Sequence, residues 1–268
     1  MTSVEAWAAR NNVDISNYGG FGCGNFNPGE ANTFLVDFAG NGTYTSVDLT
    51  KEDLGFPDTK RTYAAFDFFA EHPYRNGWYG KVNYTWSRSK GNTEGQTLSD
   101  IAQTDVAATQ VWDFPELMEG AYGYLPNDRA HQLKAYGFYE ITPQWIVGGN
   151  GLIATGRPRN CLGNNDEADE NFGYGSAYHM CNGVSSPRGA LGRLPTEVRL
   201  DANLIYRPAL VKGLSLKWDV YNVFNRQVTQ TVDEVYNSGT TVASTYGRTI
   251  SYTPPRTMRF SAEYNHKF

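Results

Sequence analysis

The chain has 268 residues, a formal net charge of −5 at pH 7 and no Lys/Arg stripe, a balance that argues against nucleic-acid binding. Mean hydropathy is −0.52, and no apolar run reaches the roughly 18 residues of a transmembrane helix. A membrane β-barrel stays open, because its strands alternate lipid-facing and lumen-facing residues and average to the hydropathy of a soluble protein.

With 18 Tyr, 14 Phe, 6 Trp and 28 Gly against four Met, the composition suits pleated strands and turns. The opening MTSVEAWAAR lacks a charged segment followed by an apolar one, so no signal peptide is expected and the chain reads as mature or truncated.

In chain order, weak alternation near residues 31 to 38 and 43 to 49 predicts two short strands. Seven stronger strands are expected between residues 62 and 268, forming a continuous antiparallel meander. Trp78, Val82, Tyr84 and Trp86 alternate with Lys81, Asn83, Thr85 and Ser87. Leu133, Ala135, Gly137, Tyr139 and Ile141 alternate with Gln132, Lys134, Tyr136, Phe138 and Glu140. Residues 145 to 157 carry four Gly and leave the register open.

Next, Val198, Leu200, Ala202, Leu204 and Tyr206 oppose Glu197, Arg199, Asp201, Asn203 and Arg207. Leu214, Leu216, Trp218, Val220 and Phe224 oppose Ser215, Lys217, Asp219 and Tyr221. In the last strand Met258, Phe260, Ala262, Tyr264, His266 and Phe268 share one face, with His266 the only misfit, while Thr257, Arg259, Ser261, Glu263, Asn265 and Lys267 share the other. A small soluble barrel would bury these charges; a wide water-filled or plugged lumen solvates them. Arg199, Asp201, Lys217, Asp219 and Arg259 are therefore expected to face a lumen, as a cross-strand charge ladder or a contact for a plug.

Short turns at 72 to 77, 142 to 144 and 208 to 213 alternate with long polar loops at 91 to 128, 159 to 195 and 228 to 255. That is the pattern of periplasmic turns and extracellular loops. It makes the final strand run inward, ending Phe268 at the periplasmic rim, and gives about nine strands in all.

Cys161 and Cys181 share one Gly/Asn-rich segment and read as a disulfide in an oxidising compartment or as two unrelated thiols in the cytosol; Cys23 has no evident role.

Six segments resemble, in order, the carboxy-terminal region of Oar-like TonB-dependent receptors: DTKRTYAAFDF (58 to 68), NGWYGKVNYTWSRSKGNTEG (76 to 95), LPNDRAHQLKAYGFYEITPQW (125 to 145), ATGRPRNCLG (154 to 163), DVYNVFNRQ (219 to 227) and PPRTMRFSAEYNHKF (254 to 268). The resemblance implies an all-β fold, the carboxy-terminal portion of an antiparallel transmembrane barrel of about 22 strands in the outer membrane of a Gram-negative bacterium. Residues 1 to 268 would then be barrel alone, with the plug domain, the TonB box and the other barrel strands absent. The implied function is movement of an unidentified large substrate across the outer membrane, with TonB acting through the plug.

The resemblance further implies that Phe260, Tyr264 and Phe268 form a signal for the barrel-assembly machinery, from which His266 departs, and that the lipid of the outer membrane is a partner. In the RPRNCLG context, on a shared extracellular loop, Cys161 and Cys181 are expected to be bonded.

No catalytic constellation, cofactor motif or metal-ligand spacing is found. His72, His131, His179 and His266 lie in separate elements, and His131 fits a structural hydrogen bond at a loop base. GFGCGNFNPG (20 to 29) lacks the Lys of a phosphate loop, and the SxxK-like Ser87 to Lys90 string lies on a strand. The acidic run Asp166, Glu167, Asp169 and Glu170 could offer oxygens to calcium, though a solvated loop is preferred. Trp112, Phe114, Tyr122 and Tyr124 could form a substrate platform on the 91 to 128 loop or pack that loop on itself. Two other functions compete: a small self-contained passive porin or structural barrel, which a tenth strand within residues 1 to 30 would favour, and a secreted carbohydrate-binding β-sandwich.

Overall fold

The structure, a computed structural model, describes residues 3–20, 29–101, 103, 111–165 and 174–265. Seven strands make one antiparallel wall in which each pairs with its sequence neighbours. They are β1 (Arg61–Arg75), β2 (Trp78–Gly91), β3 (His131–Thr142), β4 (Trp145–Ala154), β5 (Glu197–Tyr206), β6 (Leu214–Tyr221) and β7 (Thr257–Tyr264). The short strand Gly123–Tyr124 pairs with the end of β2. The expected meander is thus present; Phe268, His266 and Lys267 lie outside the described residues. No described helix is long and apolar enough to cross a membrane.

Register gives the wall two unlike faces. Trp78, Tyr139, Val147, Leu204, Trp218 and Phe260 follow one another across six strands, and Val82, Ala135, Gly151 and Leu200 form a parallel row. On the opposite face Glu71, Lys81, Tyr136, Asn150 and Asp201 stand in line, and Asn203, Asp219 and Arg259 in another. The open register of residues 145 to 157 is settled by these partners: Val147 and Ile153 join the apolar face, Ile146 and Leu152 the polar one. Large aliphatic residues on both sides are why alternation within the segment could not decide.

Aromatics bound the apolar face at both ends. Trp145 and Tyr206 stack at 4.4 Å and His72 and Trp78 at 3.5 Å near the short turns, while Phe66, Tyr84 and Trp86 lie toward the long loops. The three buried apolar clusters all sit outside the wall. A sheet whose apolar side is exposed while its core lies elsewhere is a barrel wall facing lipid, not one layer of a sandwich.

Three expectations need correction. The strands near 31 to 38 and 43 to 49 do not extend the wall to nine: Asn32–Val36 and Thr45–Leu49 form their own hairpin. At five residues each they fall short of the roughly 9–11 that a tilted span requires. Their Val36, Val47 and Leu49 instead bury against Val4 and Ala8 of the helix Ser3–Arg10, so no tenth strand occupies residues 3 to 20. Phe224 is not on β6, because Asn222 and Asn225 take positive φ of 52° and 50° and end the strand at Tyr221. The turn expected at 72 to 77 shrinks to Asn76–Gly77, both at positive φ, as a two-residue hairpin turn favours. β1 runs on through Pro73, an edge position that tolerates the missing N–H.

The faces can be tested by a single charge. Leu200→Arg, at mid-height on the apolar face, is expected to destabilise the membrane-inserted protein by about 2–4 kcal/mol. Asn150→Arg, on the polar face, should cost within about 0.5 kcal/mol. Urea unfolding midpoints of the vesicle-inserted protein measure both.

Candidate functional site

The connections β2–β3, β4–β5 and β6–β7 all leave the same end of the wall and fold together as a dome. Two covalent or ionic ties hold it. Cys161 and Cys181 are bonded, with Cα atoms 5.4 Å apart, as expected. Beside them Leu162 donates its N–H to Glu234 O at 2.9 Å and accepts from Tyr236 N at 2.6 Å, joining the second loop to the third.

The ionic tie is buried. Arg188 Nη1 lies 2.7 Å from Asp100 Oδ2 and 3.4 Å from Glu94 Oε1, and its Nε donates to Ala121 O at 2.8 Å. Arg157 Nη1 lies 3.0 Å from Glu234 Oε1. Asn160 sits between the pairs, donating to Asp100 Oδ1 at 2.6 Å and Glu234 Oε2 at 3.0 Å while accepting from Gly189 N at 2.7 Å. One network therefore spans all three loops. Burial pushes the Asp100 carboxyl up to about 7 against the opposing pull of Arg188, and burial raises Glu234 also. His179 is pushed down to about 3 by burial and then by the charge of Arg188.

At the dome's base Asp128 Oδ1 accepts from Ser89 N at 2.5 Å, and its other carboxylate oxygen pairs with Arg193. Two glycines permit the close backbone approach this requires: a Cβ on Gly123 would fall 1.9 Å from Arg188 O, and one on Gly156 1.9 Å from Leu194 O.

The four loop aromatics have different surroundings. Trp112 is buried against Phe56, Met118 and Ala121. Phe114 meets Tyr174 edge-on at 5.4 Å beside the Leu117–Tyr178 cluster. Tyr122 is exposed, and Tyr124 lies on the short strand paired with β2. Of the five charged wall residues, Arg259 Nη2 donates to Asp219 Oδ2 at 2.8 Å, and Lys217 bonds Glu263 at 2.5 Å. Arg199 Nε lies 3.4 Å from Asp201 on its own strand. Phe260 stacks on Trp218 at 5.7 Å and Tyr264 pairs with Leu214 in register.

His131 Nδ1 lies 2.8 Å from Tyr84 Oη, and Ser87 Oγ donates to Arg129 O at 3.0 Å with Lys90 on the opposite face of the strand. Cys23 and the acidic run at 166 to 170 lie outside the described residues, among which no cluster of three His, Cys, Asp or Glu is placed to hold a metal ion. Sequence reasoning missed Arg188, Arg157 and Glu234. Their types are ordinary in loops, and only burial distinguishes them.

No family model matches the chain. It is 33% identical over 187 residues, 68% of its length, to the TonB-dependent transporter Oar of Myxococcus xanthus. The chain is Oar-like. The matched stretch covers 17% of the Myxococcus protein. Among solved structures, the siderophore receptor PiuA of Acinetobacter baumannii aligns with TM-score 0.46 at 12% identity, over 77% of this chain and 22% of that one. The ferric-catecholate import receptor Fiu of E. coli K12, in its closed form, aligns with TM-score 0.46 at 14% identity, over 84% and 22%. The outer membrane transporter YddB of Escherichia coli aligns with TM-score 0.45 at 13% identity, over 88% and 28%. This Oar-like chain thus spans less than a third of the length of the Myxococcus protein and of each of these structures.

Removing the disulfide by Cys161→Ser with Cys181→Ser should loosen the dome by about 3 kcal/mol, because the closed loop is that of a 20-residue separation. Hydrogen exchange at Leu162 and Tyr236 should quicken while β3 and β4 stay protected.

A pH test follows from the buried groups. Asp100 and Glu234, raised, stabilise the closed dome fully below about pH 4 and lose that contribution as pH rises, for Asp100 through about 7. His179, lowered, contributes fully above about 6.5 and loses it as pH falls toward 3. Between about pH 4 and 6.5 the slopes oppose, each at most about 1.4 kcal/mol per pH unit. In His179→Gln, dome protection corrected for intrinsic exchange should therefore fall more steeply with rising pH than in the native chain.

Proposed function

We propose that the chain is carboxy-terminal barrel wall of an Oar-like TonB-dependent receptor in the outer membrane of a Gram-negative bacterium. The receptor moves a large substrate across that membrane, with a plug domain and TonB box supplied by the rest of it.

The observation that carries this reading is the two-faced wall. Its apolar face meets lipid; Arg199, Asp201, Lys217, Asp219 and Arg259 line the water-filled side, where a plug contacts them. Their ion pairs, with one another and from Lys217 to Glu263, make them structural charges of the lumen wall more than ligands for substrate. Open edges support a larger barrel: among the described residues β1 and β7 each pair on one side only, which leaves the outer edge of a 15-residue strand without a partner. Unpaired backbone groups are untenable in lipid, so further strands of the receptor must close the ring. A self-contained porin built from these seven strands would also have an odd strand number, against the even rule for bacterial single-chain barrels.

Tyr122 is the exposed member of the loop aromatics and the one best placed to touch substrate. Phe260, Tyr264 and Phe268 form the signal read by the barrel-assembly machinery.

The reading is tested along β6 in the complete receptor. Fluorophores attached to cysteines at 216 and 218 should be quenched by brominated lipid, and those at 217 and 219 by aqueous iodide. Quenching without this period of two would overturn the barrel assignment.

A further inference from the structure

We propose that the dome's lipid-facing edge binds the phosphorylated headgroup of an outer-leaflet lipid, held by Arg88 and Lys90 about the ring of Tyr124. The proposal rests on the reading that the apolar face meets lipid.

Toward the loops, the apolar face of β2 presents Val82, Tyr84, Trp86, Arg88 and Lys90 in turn, since residues two apart share a side. The succession runs from aliphatic to aromatic to cationic, as hydrocarbon gives way to interface and headgroup. From Trp78 to Trp86 is about 27 Å along the strand, or about 20 Å of height at a 40–45° tilt. Such a height matches an apolar band bounded by aromatic girdles and places Arg88 and Lys90 at the headgroup layer.

Three cations surround one ring there. Lys90 Nζ lies 4.5 Å from the Tyr124 centroid, Arg193 Cζ 5.4 Å and Arg88 Cζ 5.8 Å. Arg88 also donates to Tyr124 Oη and lies 5.5 Å over Trp86. Arg193 is neutralised by Asp128. Among the described residues neither Arg88 nor Lys90 forms an ion pair, so two positive charges are held close together by aromatic rings and the Tyr124 hydroxyl, with no anion between them.

A cleft of about 440 Å³ opens beside them, lined by Lys90, Tyr122, Tyr124, Pro158, Arg188 and Arg193. Arg188, its side chain 0% exposed, is anchored through Nε and Nη1, while Nη2 has no hydrogen-bond partner. Two uncompensated cations about an aromatic platform suit a multiply charged phosphate better than a neutral sugar or a single carboxylate. Their place on the membrane-facing side selects a lipid as its bearer.

The test uses the complete receptor, delipidated and inserted into phosphatidylcholine nanodiscs, with bisphosphorylated lipid A as probe and dephosphorylated lipid A and inorganic phosphate as controls. The native protein should retain the phosphorylated lipid preferentially. Arg88→Gln with Lys90→Gln should reduce that retention by about thirtyfold, as expected for removing two cations from an anionic lipid surface. Arg88→Lys with Lys90→Arg, which keeps both charges, should preserve most of it, and heat-modifiable mobility should show all three proteins folded.

Equal retention of the two lipids, or retention indifferent to the Gln pair, would overturn the proposal; so would inorganic phosphate displacing the lipid at equal concentration, which marks a site for soluble anions. The quenching pattern along β6 reports separately on the barrel. Normal quenching with no charge-dependent retention removes this proposal alone.

Discussion

Inside a lipid layer there is no water to accept a hydrogen bond, so every backbone N–H and C=O of a crossing strand must be satisfied by another strand. The rest of the structure follows from that demand. It makes neighbours in sequence neighbours in the sheet, because an antiparallel hairpin is the shortest way to supply a partner. It also locks register, since a slip of one residue would carry Trp218 and Phe260 to the polar face and Asp219 and Arg259 to the apolar one. Bonding and the alternation of the wall's two faces are consequences of one ladder.

Above the wall the physics changes. The loops are wet outside, so they can bury charge only where charge is answered. Arg188, Asp100, Arg157 and Glu234 answer one another through Asn160. Such a network adds little net stability, because desolvation offsets much of the attraction, but removal of one partner strands the others. Its effect is geometric: three connections that could wander separately are held as one body. Gly123 and Gly156 let backbones touch where any side chain would collide, and Asp128 with Arg193 fixes the body to the upper end of β2. Tyr124 is thereby held beside Arg88 and Lys90, although these residues come from different segments.

The amino-terminal unit obeys a third logic. Its helix and five-residue strands are too short to span a bilayer and bury their apolar residues against one another, as a soluble domain does. Alternation alone reads such a hairpin as two more wall strands, because period two reports a strand with one covered face and not what covers it.

The wall's strands and turns, its two faces and the bond between Cys161 and Cys181 were legible in the sequence. Period-two alternation is local, turn residues are local, and the cysteines lay in a recognisable context. What only the tertiary structure decided is non-local. Which side Ile146 and Val147 take depends on β3 and β5, since both are apolar and the glycines beside them have no preference. The end of β6 before Phe224 depends on Asn222, whose Nδ2 donates to Arg226 O and Pro254 O across the loop. Trp112 and Tyr124, equivalent as aromatics on a polar loop, part company because one packs on Phe56 and the other on three cations. Residue type fixes what a side chain can do; the company it keeps, set by chain segments as distant as Asp100 and Arg188, decides which of those things it does.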